Sequence, residues 1–277
     1  MTIVRVLADE LTGGRVELPG ISAATLRVRA AVAGEGASVD RIRQAIATEP
    51  ALAARIMQMA NCAALNRIGK PVLDLRSAIA RLGSNLVRAA ALVFAIAQMR
   101  RAAELAPIRE QLQTHWHASR DAAAFAYALA KRRSTVKPDT ALLAGLLHRI
   151  ARLYLVARAA EEPQLLAEPA LVAAIEREWG DAIAAALVAT WGLDASIAHA
   201  IRDHLDLRRE HRGEPDLTDI LTAATVLASL HVYPEQLELN LQSVRAAERL
   251  QLNRETVEAL LADSTEEIAA LRSALGD

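Results

Sequence analysis

Apolar residues recur at three- and four-residue spacing along almost the whole chain, and that spacing commits it to helices. Val39, Ile42 and Ile46 fall on one helical face behind Ser38, whose hydroxyl can accept from a free backbone amide. Glu49-Pro50 ends that pattern, because proline is tolerated in a first turn where its missing N–H has no partner to lose; Leu52, Ile56, Met59 and Ala63 begin the next stripe. From Pro138 and Asp139 the series Leu142, Leu143, Leu146, Leu147, Ile150 and Leu153 is apolar nearly all round, as a central buried helix should be. Gly192 after Trp191 reads as a left-handed stop and Asp194 as a cap. Ile197, Ile201 and Leu205 then form a stripe that puts His204 beside the core. Leu217, Ile220, Leu221, Ala224 and Leu227 give another face, read as buried. Ser264-Thr265-Glu266-Glu267 has capping-box spacing ahead of a last helix with Ile268, Leu271 and Leu275, stopped by Gly276. Only Ile3 to Leu7 alternates weakly like a strand, and no solenoid repeat is present, so the fold is expected to be all-α.

With 277 residues, 53% of them apolar, the chain can bury a substantial core. A net charge of -1 gives no overall field that would gather nucleic acid or an anionic membrane. Arg100-Arg101, Lys131-Arg132-Arg133 and Arg208-Arg209 with Arg212 are short basic clusters without interleaved aromatics, read as solvated helix ends. The longest apolar run, Ala89 to Ala97, falls well short of the roughly 20 residues a bilayer needs. Met1 to Leu7 lacks the pattern of a secretory signal, and the single Cys62 suits a reducing compartment. The expectation is a cytoplasmic protein with no nucleic-acid or membrane partner. Phosphate loops, strand-borne Ser-His-Asp sets and zinc-type Cys/His sets are absent from the sequence.

The chemistry-bearing segment is Gly145-Leu146-Leu147-His148-Arg149-Ile150-Ala151-Arg152-Leu153. Together with Thr48 to Ile56, Ala60-Asn61-Cys62-Ala63, Pro71, Ser77-Ala78-Ile79, Leu82-Gly83, Trp116 with Ser119, Trp191-Gly192-Leu193 and His204, it resembles the HDOD family. These are the HD-related output domains of bacterial signalling proteins. The resemblance runs from about Leu18 to Leu230. It implies an HD-related helical fold of two lobes, about 18–103 and 114–206, within an HDOD-type domain spanning 18–230. A leader over 1–17 and a C-terminal helical extension over 231–277, packing on the domain, would flank it. The leader is expected to be too short for a receiver module, so any input is expected from elsewhere. Glu104 to Gln113, with Pro107, and the charged stretch Leu207 to Asp216 read as connections between helical blocks.

In HD hydrolases the corresponding helix places Asp after His, because a divalent metal wants a neutral imidazole beside an anionic oxygen. Here Arg149 puts a permanent cation in that place. Ala118 stands where related sequences often have histidine, although His115 and His117 lie close by; Gly180 stands at a further histidine position, and His204-Leu205 keeps one of two. His148, Arg149, Asp203 and His204 are therefore vestigial HD-like positions. No catalytic, cofactor-binding or metal-binding residue is assigned, and no cofactor is expected.

Each of these residues also has a plainer reading. His148 is expected to be an interior imidazole satisfied by hydrogen bonds. Asp203 and His204 point about 100° apart on a helix and make an unpromising pair. His115 and His117 lie on opposite helix sides and are not expected to share an ion. Trp116, Trp179 and Trp191 read as core filling, Asn61 as an amide tying backbone at a helix end, and Cys62 as a packed thiol. The function expected is a non-catalytic signalling module that acts by binding a protein partner, such as a response regulator, kinase or cyclic-dinucleotide enzyme. A homodimer is allowed. The alternatives are an HD-type metal-dependent phosphohydrolase using His148, Asp203 and His204, or a sensor of a small ligand in the inter-lobe cleft.

Overall fold

In the computed structural model the described residues are 3–33, 38–66, 69–161, 165, 167–230, 241 and 243–276, and their regular structure is helical with no strand among them. Residues 231–240, where the C-terminal extension was placed to begin, lie outside that set. The helices are α1 (Ile3–Thr12), α2 (Ala23–Ala33), α3 (Val39–Ala47), α4 (Pro50–Asn61) and α5 (Leu75–Arg101). A short 3-10 turn, Ala103–Ile108, leads into α6 (Arg109–Arg133), α7 (Pro138–Leu147), α8 (Ile150–Ala159) and α9 (Pro169–Thr190). Then come α10 (Ala195–Asp203), α11 (Leu217–Leu230), α12 (Arg245–Arg249) and α13 (Arg254–Leu275).

Local chemistry sets many of the ends. Ser38 accepts from the Arg41 amide at 3.2 Å and Asp194 from the Ser196 amide at 2.8 Å, while Pro50 and Pro138 open α4 and α7. Gly192 turns the chain after α9 with φ of +62°, a region closed to most side chains. Asn61 fastens the α4 end to the chain beyond: its amide donates to the Met57 and Val72 carbonyls, and its carbonyl accepts from the Val72 amide at 2.7 Å.

α6 is the central beam, packed against α7, α8, α11 and α13, while α2 to α5 form the first block. α13 crosses back to touch both α6 and α4, where Glu267 pairs with Lys131 and Arg132 and Arg272 pairs with Asp121. The two blocks share one continuous apolar core from Leu7 to Leu275. By length and composition Leu75–Arg101 and Pro138–Ala159 would suffice to cross a bilayer, but here 61% and 72% of their most apolar windows are buried in the core.

Four local expectations are corrected. Ile3 to Leu7 belongs to α1, a helix held down by Leu7 in the core and by Glu10, which pairs with Tyr154 and Arg158. Leu205 is 76% exposed: α10 stops at Asp203, so the helical spacing that grouped it with Ile197 and Ile201 no longer applies. Ser264 starts no helix; it lies buried inside α13, whose true capping box is Asn253 with Thr256. The apolar run through His148 is two helices, α7 and α8, broken at His148 and Arg149.

Candidate functional site

The break between α7 and α8 gathers the residues that the sequence singled out. Gly145 lets α7 approach α6 closely: a β-carbon there would lie 2.4 Å from the Ala123 α-carbon. One turn on, His148 Nδ1 donates to the Gly145 carbonyl at 2.7 Å. A continuing helix would give that carbonyl to the Arg149 amide, so the imidazole caps α7 and helps to end it. With its proton committed at Nδ1, His148 presents Nε2 as an acceptor. Arg149 Nε donates to it at 3.3 Å, and Arg149 Nη1 reaches Nδ1 of His115, on α6, at 3.3 Å.

His204 closes the group from the end of α10. It is 5% exposed, donates from Nδ1 to the Ile201 carbonyl at 2.6 Å, and meets the His148 ring edge to face at 5.6 Å between centroids. Thr222 on α11 bonds the His204 carbonyl at 3.0 Å. On the far side Arg152 pairs with Glu176 of α9 at 2.7 Å. Gly180, also on α9, faces Ala151.

Burial first, then the surrounding cations, keeps the imidazoles neutral. His148 is pushed down to about 3 by desolvation, with His204, Arg149 and His115 adding to the shift against the opposing Gly145 bond. His115 is pushed down to about 4 by desolvation, Arg149 and Arg152. His204 is lowered mainly by desolvation. At neutral pH the site is therefore three uncharged imidazoles around one guanidinium.

That arrangement does not fit a divalent metal. A guanidinium already takes the lone pairs of two imidazoles, and like charge opposes a second cation beside it. The carboxylate beside His204 in the sequence is engaged elsewhere: Asp203 is held by Arg202 in a two-pronged pair at 2.7 and 3.0 Å, which lowers its carboxyl pKa. Of the vestigial positions, His148, Arg149 and His204 come together and Asp203 does not. His115, set aside on its spacing from His117, joins them. No local sequence signal marks it, since only the fold brings α6 to Arg149.

Elsewhere the readings resolve into structure. Trp116 and Trp191 are buried, and Trp116 Nε1 donates to the Gly276 carbonyl at 3.3 Å. Burial raises the pKa of the Cys62 thiol, which suits packing. Lys131, Arg132 and Arg209 are spent on Glu267 and Asp216. Among the described residues His211, Asp216 and Asp219 bring ligand-type atoms within 4.8 Å of one another. Two guanidiniums already balance their two carboxylates: Arg209 holds Asp216 at 2.6 Å and Arg249 holds Asp219 at 3.1 Å. This cluster pins α12 to the start of α11.

The family model described as HDOD domain matches residues 18–207. No curated protein matches. A solved structure from Shewanella amazonensis SB2B, named as a candidate metal-dependent phosphohydrolase, superposes with a TM-score of 0.73 at 22% identity, covering 99% of this chain and 98% of that one. An HDOD domain protein with unknown function from Geobacter sulfurreducens gives 0.58 at 21% identity, covering 98% and 96%. A candidate signal transduction protein from Marinobacter aquaeolei VT8 gives 0.56 at 19% identity, covering 98% of this chain and 66% of that chain. At these identities the likeness speaks for the fold.

Proposed function

The chain belongs to the HDOD family, and from that premise we propose that it is a non-catalytic regulatory module of bacterial signal transduction, acting in the cytoplasm by binding a protein partner. The observation that carries the reading is the Arg149 guanidinium lodged between His148 Nε2 and His115 Nδ1. It supplies from within the protein the positive charge that a hydrolytic relative would take from a metal. It offers no open position at which water could be ionised. The fold is kept and the means of hydrolysis is not, so the remaining use of the scaffold is recognition. A signal would then be carried by differential affinity of the partner for one state or one surface of the bundle. The partner is read as a response regulator, a kinase or a cyclic-dinucleotide enzyme, and self-association as a dimer is compatible with the same role.

Two experiments address this. Purified protein with added Mn²⁺ is expected to release no phosphate from nucleotides or cyclic dinucleotides. Release that His148→Ala abolishes would make the phosphohydrolase reading correct instead. Tagged at its own locus, the chain is expected to recover a stoichiometric signalling protein from its native cells; recovery of the chain alone would contradict the binding role.

A further inference from the structure

A groove runs between α5 and the turn from α6 into α7. The hollow of about 560 Å³ lined by Arg88 and Lys137 and the one of about 340 Å³ lined by Leu82 and Leu86 share no lining residue, but each adjoins a third of about 560 Å³, the first at Val136 and the second at Pro138. That size suits small-molecule ligands, whose sites run from about 300 to 1,000 Å³. Its apolar wall is Leu82, Leu86 and Tyr127. The break in α5 at Gly83, with φ of +72°, falls between Leu82 and Asn85, both on the groove.

Three cations stand on this groove without a carboxylate partner among the described residues. Arg81 donates at 2.7 Å to the Asn66 side-chain carbonyl and to the Lys70 backbone carbonyl. Arg88 donates to the Val32 carbonyl at 2.7 Å and to Asn85 at 3.3 Å, and its buried Nε has no hydrogen bond. Lys137 borders the same hollow as Arg88. Two acids also border the groove. Asp194 has turned one carboxylate oxygen to the Ser196 amide at 2.8 Å, and Asp139 sits in the first turn of α7. Half-buried Arg152, Arg158, Arg209 and Arg249 are matched by carboxylates, whereas the hydrogen bonds of Arg81 and Arg88 on this groove go to neutral acceptors. Burial without a counter-charge also pulls the Arg88 pKa down, a cost that an anion would relieve.

We propose that this groove binds a phosphate-bearing small molecule, with its anionic group between Arg88 and Lys137 and its less polar part against Leu82 and Leu86. The proposal does not depend on the reading of the Arg149 site or on a protein partner.

The test is calorimetric titration of the intact protein with inorganic pyrophosphate at fixed ionic strength, with sodium sulfate as a control. Saturable binding at one equivalent is expected, weakened about tenfold or more in Lys137→Ala and in Arg88→Gln, as for the loss of one charge-assisted contact. Lys137→Ala removes no described hydrogen bond or ion pair, so its unliganded melting temperature should match the parent even if Arg88→Gln disturbs the fold. No saturable heat in the parent, an equal response to sulfate, or unchanged affinity in Lys137→Ala would overturn the assignment.

Discussion

Arg149 is the residue on which the functional reading turns, and its contribution to stability should be small. It lies at the surface and both of its hydrogen bonds are long, at 3.3 Å, so Arg149→Ala should cost only about 1 kcal/mol in urea unfolding. The imidazole beneath it has a larger signature. Because the folded pKa of His148 is depressed to about 3 against 6.5, the unfolded chain binds more protons between those values. The stability tied to neutral His148 is full above about pH 6.5 and is lost as pH falls through 6.5 toward 3. His115 behaves alike down to about 4. At pH 5, His148→Gln should therefore flatten the dependence of unfolding free energy on pH by about 1.4 kcal/mol per pH unit. An unchanged slope would mean that His148 is as easily protonated folded as unfolded. The neutrality of His148 was foreshadowed by its apolar neighbours. The role of His115 was not, since a helical wheel describes one helix and the contact needs α6 and the α7–α8 turn together.

At the scale of elements, the site depends on how closely α7 can approach α6. Gly145→Ala would set a methyl group against the backbone of Ala123, atoms that cannot yield without parting the helices. A loss of about 1–3 kcal/mol or more is expected in chemical denaturation; a neutral result would show that the two helices are not so tightly apposed. Spacing told truly where helices lie and which faces are buried, as at Ile42, Ile46, Ile220 and Leu221. It misjudged where they end. Leu205 falls out of its stripe because His204 caps α10, and the α7–α8 break depends on a side chain competing for a backbone carbonyl. Ser264 resembled a cap because capping-box spacing also occurs inside helices, where the hydroxyl bonds back to the preceding turn, here at Leu260. Alternation in Ile3 to Leu7 yielded to docking of α1, an outcome decided by Tyr154 and Arg158 far along the chain.

Across the whole molecule, long-range ion pairs draw the C-terminal segments onto the body. Asp219, 2% exposed, accepts from Arg249, His211 and the Asp216 amide, and so joins α12, the Leu207 to Asp216 connection and α11. Asp219→Asn removes the charge that two guanidiniums face and should cost about 3 kcal/mol, with faster proteolysis near α12; parent-like stability would reduce the cluster to surface decoration. The same bundle that shelters this cluster shelters the three imidazoles, and in both places arginine supplies the positive charge. We propose that Arg149, bonded to both His148 and His115, makes a metal redundant at the HD-like position. The most direct test is the metal content of protein purified without chelator or nickel, read by plasma mass spectrometry. Well below one equivalent of iron, manganese or zinc is the predicted result. About one or two equivalents, retained through dialysis and lost in His148→Ala, would contradict it.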